Sequence, residues 1–179
     1  MSAMGKQIDK TTIEFERLLP GPIERVWAYL TDSKKRSEWL AAGDMELKAG
    51  GRAEFLFDHR KITLASDKPP KKYDQYAGET RFEGKILEAR PPTLLRFEWP
   101  EASGEISEVK FELASRGDKV RLLLTHSRLV KRDDLLSTSA GWHAHLDILE
   151  AKLAGKTPPP FWSSHTRLEG DYAKRLPAA

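Results

Sequence analysis

Cysteine is absent from this 179-residue chain, which removes disulfides, thiolate metal sites and cysteine nucleophiles together and fits a reducing compartment. Long apolar runs are missing as well. No stretch approaches the roughly 18 consecutive apolar residues of a membrane span, and the first residues, MSAMGKQIDK, lack the apolar segment of a signal peptide. Together these absences predict a cytoplasmic protein with no membrane span. Charge of one sign is scarce too: 30 Lys and Arg stand against 27 Asp and Glu, a formal net charge of +3. The basic residues are scattered among acidic ones, so nothing resembles the patch that nucleic acid needs, and KPPKK at 68–72 reads as a solvated loop. Neither a Gly-x-Ser-x-Gly motif nor a glycine-rich phosphate loop after a strand occurs, which leaves acyl transfer, phosphoryl transfer and nicotinamide chemistry unsupported.

What is present is ordinary for a globular domain: 39% hydrophobic and 32% charged residues, in a chain long enough for one sizeable core. Residues 1–11 are polar and predict a flexible lead-in. Ile13 to Leu19 alternates as a first strand, ended by Pro20-Gly21-Pro22. Ile23, Val26, Trp27 and Leu30 then give helical spacing, and a second short helix is predicted from Ser33 to Leu40. From Gly51 to Leu129 the period is 2. Ala53, Phe55 and Phe57, then Thr80, Phe82, Gly84 and Ile86, then Leu95, Phe97 and Trp99 share one face. The face continues through Val109, Phe111 and Leu113, and through Val120, Leu122, Leu124 and His126 after the Gly117-Asp118 turn. One apolar and one charged side make an antiparallel sheet with a buried face and a wet face. The segment from His59 to Ala77, rich in Lys, Asp and Pro, predicts a mobile excursion with one irregular strand near Ile62 to Leu64.

The most informative stretch runs from Asp133 to Ala154. Leu135, Ser139, Trp142, Leu146, Leu149 and Leu153 recur at steps of three and four, which places them on one stripe of a long helix. A single long helix after one run of strands has to lie across the sheet, because neither apolar surface is buried alone. The gap between a curved sheet and its helix is a natural place for an apolar ligand. Lys156 to Pro160 stops the helix, and Leu168, Tyr172 and Leu176 suggest a last short one.

The order of strand, two short helices, antiparallel strands and long helix is that of the helix-grip fold, of α+β class. Two segments go further. FERLLPGPIERVWAYLTDSKKRSEWL, from Phe15 to Leu40, and GWHAHLDILEAKLAG, from Gly141 to Gly155, resemble the START-like (SRPBCC) superfamily, and within it proteins similar to the C-terminal domain of the heat-shock protein 90 ATPase activator. The resemblance implies a helix-grip domain over residues 12–155, a curved antiparallel sheet gripping the long helix around a cavity, and a C-terminal extension over 156–179. It also implies a repertoire: relatives bind lipids, sterols, polyketides or hormones, and a minority catalyse cyclisations or ring hydroxylations. Three functional classes therefore stay open: a binder of small apolar or aromatic molecules, an interaction module whose partner is a chaperone or another protein, and an enzyme of the polyketide cyclase or dehydratase kind.

The residues expected to line the cavity are Trp39, Phe57, Phe82, Trp99, His126, Trp142, His145 and Leu149. No catalytic residue, cofactor or metal is assigned. His143 and His145 are two apart on a helix and point about 200° from each other, so they do not close on one ion. His145 flanks the apolar stripe and faces either the cavity or the core edge. His126, on the inward strand face, is either a hydrogen-bonded structural group or one that orients a ligand or carries a proton. His59, where a strand opens into the long loop, carries the same two readings, and His165 in the tail carries no signal. Arg17 is the polar member of an apolar strand face; inward, it requires an acidic partner or an anion.

Overall fold

Seven antiparallel strands form one curved sheet in the order β1-β2-β7-β6-β5-β4-β3. They are β1 (Lys6–Asp9), β2 (Thr12–Pro20), β3 (Arg52–Phe57), β4 (Thr80–Arg90), β5 (Leu94–Pro100), β6 (Ile106–Arg116) and β7 (Lys119–Ser127). The computed structural model describes residues 2–177. The period-2 sets predicted to point inward do so: Ala53, Phe55 and Phe57, Val109, Phe111 and Leu113, and Val120, Leu122, Leu124 and His126 are buried. Register stacks these sets across strands, with Phe97 opposite Val109 and Phe111 opposite Leu124. The outer face holds ion pairs instead, among them Arg96 between Glu88 and Glu108.

Among the described residues four helices accompany the sheet: α1 (Ile23–Thr31), α2 (Ser33–Arg36), α3 (Arg132–Leu153) and α4 (Phe161–Arg175). The 22-residue α3 lies in the concave face, which gives the helix-grip architecture. Its predicted stripe is buried, yet Ala140, His143, Ala144, His145 and Ile148 are buried as well. The reason is α4, which packs along α3, so α3 is covered by a second helix as well as by the sheet. His143 and His145 accordingly diverge. His143 bonds Ser2 Oγ and the Tyr172 hydroxyl, both at 2.8 Å, whereas His145 Nδ1 lies 2.7 Å from the Trp39 carbonyl.

Several expectations need correction. The polar lead-in is not free: Lys6–Asp9 pairs with β2 as a hairpin, and the Gly5 amide donates to the Tyr172 hydroxyl at 2.6 Å. A four-residue strand with one exposed apolar residue, Ile8, is too short for periodicity to reveal. The second short helix closes after one turn, at Arg36. No strand forms near Ile62 to Leu64; the 59–77 segment contains two 3-10 segments, His59–Lys61 and Lys71–Tyr76, and is docked rather than loose. Its Asp67 carboxylate accepts from the Trp162 amide at 2.7 Å and the Ser163 amide at 3.0 Å, while Thr63 Oγ1 accepts from the Phe161 amide at 2.9 Å. These are the orphan amides of the α4 N-terminus, satisfied from about 95 residues away rather than by a local cap. The last helix is correspondingly longer than its Leu168-Tyr172-Leu176 spacing suggests, 15 residues running through Gly170.

Two arginines are buried. Arg17 faces inward 3.8 Å from Asp147, so the acidic partner it requires comes from α3. Burial lowers the Arg17 pKa, and Asp147 counters that. Arg36, 1% exposed, ties the α1–α2 corner to the sheet edge. Its guanidinium donates to the carbonyls of Leu30 (3.3 Å), Thr31 (3.1 Å), Gly43 and Glu54 (3.5 Å), and lies 5.4 Å over the Phe55 ring. Gly43 is required here: its φ is +118°, and a Cβ would sit 2.0 Å from the Glu54 carbonyl oxygen. Burial pushes the Arg36 pKa down to about 10, still charged at neutral pH. Arg36→Met, which keeps bulk but strands these carbonyls, is expected to cost about 3 kcal/mol in urea unfolding. A loss below about 1 kcal/mol would show that the corner does not depend on this clamp.

Candidate ligand cavity

Where α3 leaves the sheet toward its N-terminus, the two layers do not close. A cavity of about 650 Å³ lies between the inner ends of β3, β4 and β5, the first half of α3, α4 and the 59–77 segment. Rings make most of its wall. Phe57, Phe82 and Trp99 come from the sheet, with Phe57–Phe82 centroids 5.3 Å apart and Phe82–Trp99 6.0 Å. Trp142 from α3 stands 5.5 Å from Trp99. On the opposite side, His59 sits between Phe161 (4.5 Å) and Trp162 (4.9 Å), and Tyr73 stacks on Trp162 at 5.8 Å. Two helix-interior glycines, Gly141 in α3 and Gly170 in α4, also border the space, and a Cβ at either would meet no atom within 4 Å. Glycine in mid-helix costs about 1 kcal/mol relative to alanine, so each position trades stability for room.

Of the eight residues expected at the site, Phe57, Phe82, Trp99, Trp142 and His145 line the cavity. Trp39, Leu149 and His126 do not. Trp39 is fully buried, its indole donating to the Tyr29 carbonyl at 2.8 Å, because the α1–α2 corner turns it into the core. Leu149 sits too far along α3, in the closed part of the interface, and is fully buried. His126 lies behind Trp142, whose indole N–H donates to His126 Nδ1 at 2.8 Å. An indole only donates, so Nδ1 is the acceptor and the proton is on Nε2, directed at Ser107 Oγ (2.6 Å) and Glu101 Oε1 (3.0 Å). With both ring nitrogens engaged, His126 positions Trp142 and Glu101 and presents nothing to a substrate.

Sequence reasoning missed the second half of the wall: His59, Tyr73, Tyr76, Phe161, Trp162, His165 and Glu169. Their segments are separated by about 90 residues and meet through long-range contacts, those of Asp67 and Thr63 with the α4 amides and of Lys72 and Tyr73 with Glu169 among them. The one local signal was FW at 161–162 after three prolines, an aromatic pair opening a helix.

The polar groups of the wall divide into satisfied and unsatisfied. Glu101 accepts from Ser107 Oγ at 2.5 Å and from Thr138 at 3.3 Å, and Asp134 accepts from Ser103. Glu169 accepts from Lys72 and Tyr73; burial alone would raise its carboxyl, but these two donors outweigh it and hold it below the usual range. By contrast, His59 Nδ1, His165 Nδ1 and Thr80 Oγ1 have no hydrogen-bond partner in the protein. Burial pushes the His59 pKa down to about 4, with His165 adding to it, and pushes His145 down to about 3. Burial lowers His165 too. The wall thus offers stacked rings, neutral imidazoles and carboxylates.

These imidazoles set a pH dependence. Their folded pKa values lie below the ordinary 6.5, so the unfolded chain binds protons that the native state refuses between about pH 6.5 and 4. Stability therefore falls as pH falls through that window, by up to about 1.4 kcal/mol per unit for each ring. Urea unfolding at pH 7 and pH 5 is expected to differ by roughly 2–4 kcal/mol for His59 and His145 together. Equal stability at the two pH values would mean that the rings titrate freely in the native protein.

Comparison with known proteins follows this geometry. A family model described as activator of Hsp90 ATPase homolog 1-like protein matches residues 20–154. Among curated proteins none matches. A protein from Bordetella parapertussis, known from a solution NMR structure, is 43% identical over 99% of this chain and 92% of its own, with a TM-score of 0.83. CalU16 from Micromonospora echinospora is 22% identical, covering 93% of this chain and 89% of that one, with a TM-score of 0.67. DynU16, from the dynemicin biosynthetic locus, is 18% identical, covers 86% of this chain and 51% of that one, and has a TM-score of 0.62. The last two share the fold alone. Seven curved strands gripping one long helix, with a sequence match over three-quarters of the length, settle the classification: the chain belongs to the activator of Hsp90 ATPase homolog 1-like family of the START-like (SRPBCC) superfamily.

Proposed function

We propose that this protein binds a small aromatic or apolar molecule in the cavity between the sheet and α3. The observation that carries the reading is the wall itself: about 650 Å³ bordered by rings from both layers, with two helix glycines leaving the space unfilled. That volume falls within the range of small-molecule sites, and a mostly apolar wall with a few convergent polar atoms is their usual composition. The position agrees with the gap expected between sheet and helix, shifted to the N-terminal half of α3 and closed by α4. DynU16, which shares the fold, is encoded in a biosynthetic locus, in keeping with a small-molecule ligand.

A thermal-shift screen against aromatic polyketides, flavonoids, sterols and fatty acids tests this. A ligand specific for the native state adds about 2.7 kcal/mol at a hundredfold excess over its Kd, several degrees for a domain of this size. Gly141→Leu locates the site. A Cβ at this position meets nothing within 4 Å and the substitution removes a helix glycine, so Tm is expected to hold or rise while the bulk placed at the cavity border abolishes the ligand shift. A full ligand shift in Gly141→Leu would place the ligand elsewhere.

A second reading follows from the family's description, which names an ATPase activator of a chaperone. In that case the protein acts through its surface. A pull-down at low salt should then retain a chaperone of the Hsp90 type with the wild type and with Gly141→Leu alike, since that substitution changes one residue at the cavity border. Retention of none would remove this reading.

A further inference from the structure

The charges around the cavity do not balance. Glu101, Asp133, Asp134 and Glu169 border it against one cation, Lys72, a formal −3 among the described residues. Lys72 is already engaged by Glu169. The imidazoles add no charge at neutral pH, since burial lowers the pKa of His59, His145 and His165. Arg132, at the start of α3, donates to the carbonyls of Ala173, Leu176 and Pro177 instead. Helix α3 offsets part of the excess, because Asp133 and Asp134 lie in its first turn. Its dipole is equivalent to roughly half an elementary charge there, which leaves most of the imbalance standing.

Two of these carboxylates are buried as well as uncompensated. Asp134 is 7% exposed, and the Glu101 side chain is 5% exposed. Their donors are hydroxyl groups, Ser103 for Asp134 and Ser107 and Thr138 for Glu101, with the His126 ring 3.0 Å from Glu101. Among the described residues neither forms an ion pair with a lysine or arginine. Buried charges are otherwise paired in native proteins, as Arg17 is here with Asp147. Asp134 also keeps one oxygen in reserve. Its Oδ1 accepts no hydrogen bond from the described residues, and it is not among the atoms sealed in the interior.

The aromatic part of the wall adjoins these groups. Asp134, Thr138 and Trp142 follow one another at steps of four along α3 and share one face of it. The Thr138 hydroxyl donates to Glu101 at 3.3 Å, and the Trp142 ring stands 5.5 Å from that of Trp99. His126 joins the two systems, accepting from the Trp142 indole at 2.8 Å and lying 3.0 Å from Glu101. Indole faces attract cations through their quadrupole, most strongly where water is scarce. Carboxylates and indoles therefore act in the same sense, favouring positive charge and opposing an anion. A cleft lined by one sign of charge also concentrates its counter-ions.

We infer that the ligand this cavity selects is a cation: an amine protonated at neutral pH, with its ammonium group at Asp134 and Glu101 beside Trp99 and Trp142, and its apolar or aromatic body among the remaining rings. This rests on the reading of the cavity as a ligand site and adds the ligand's charge. An ammonium group brings the donors that Asp134 Oδ1 lacks, and a charge-assisted bond is roughly twice as strong as a neutral one. An uncharged analogue leaves the carboxylates uncompensated, and an anionic one adds repulsion.

The test uses three probes on one planar skeleton: 1-pyrenemethylammonium, 1-pyrenemethanol and 1-pyrenecarboxylate. Binding is read by energy transfer from the tryptophans, three of which (Trp99, Trp142 and Trp162) border the cavity. On the wild type the ammonium is expected to bind about tenfold tighter than the alcohol, with the carboxylate weaker than both. In Asp134→Asn, and further in the double variant with Glu101→Gln, the preference for the ammonium should fall to within about twofold while alcohol binding holds. Gly141→Leu should weaken all three probes together, because they share the skeleton that occupies the cavity. Near-UV circular dichroism establishes that the variants are folded, and the three-probe order on the wild type decides the matter even if they are not. Equal binding of ammonium and alcohol, or tightest binding of the carboxylate, would overturn the inference and leave the cavity reading standing. So would a tenfold preference that survives in the double variant, or an ammonium that still binds Gly141→Leu when the alcohol does not. Failure of all three probes to bind would count against both.

Discussion

The structure depends on the requirement that α3 be covered on two sides. A helix that carries His143, Ala144, His145 and Ile148 alongside a leucine stripe exposes apolar surface well outside the face that one sheet can cover. The sheet takes the Leu135-Trp142-Leu146-Leu149-Leu153 side, and α4 takes much of the rest. α4 in turn exists as a docked helix because the 59–77 segment satisfies its first amides through Asp67 and Thr63. Burial works against the Asp67 carboxylate, but hydrogen bonds from Thr63, Ser163 and Trp162 outweigh it and keep its pKa below the ordinary value. One carboxylate thus couples a mid-chain excursion to the C-terminal helix, and the far wall of the cavity is built from both.

The cavity is where this layered packing stops short of closure. Along the C-terminal half of α3 the two layers interdigitate, and Leu149 and Leu153 are fully or nearly fully buried. Toward the N-terminal half, Gly141 and Gly170 withdraw side chains from the two facing helices, and aromatic rings hold the walls apart. Cores are normally packed to crystal density, and this open space of about 650 Å³ marks where that packing gives way. Two mid-helix glycines and the desolvated imidazoles of His59, His145 and His165 border this space, while the desolvated His143 and the buried Arg17–Asp147 pair lie outside it.

The histidines illustrate how position, not residue type, assigns a role. All five are buried; two have both ring nitrogens engaged and a third, His145, has its Nδ1 engaged. His126 is bonded to Trp142 on one side and faces Ser107 and Glu101 on the other, His143 is held by Ser2 and Tyr172, and His145 by the Trp39 carbonyl. The two whose buried Nδ1 has no partner, His59 and His165, lie in the segments that read least clearly in sequence: a long polar loop and a tail.

By itself the sequence determined the class of fold and the layer order. Period 2 over five strands, helical spacing in α3 and the turn residues between them are local signals, and burial of the resulting apolar faces admits few arrangements. It also determined the sheet-side half of the cavity wall, since Phe57, Phe82 and Trp99 inherit their direction from strand alternation and Trp142 from the helix stripe. Only the tertiary structure decided the other half. β1 is four residues long, too short for periodicity to mark it, and the α4 amides find their partners in a segment far away in sequence. Whether an inward residue reaches the cavity or the closed core depends on where along α3 the layers part. That separates Trp142 from Leu149, and it hides His126 behind the indole that it orients. A long-range contact sets each of these outcomes, and a long-range contact leaves no period in the chain.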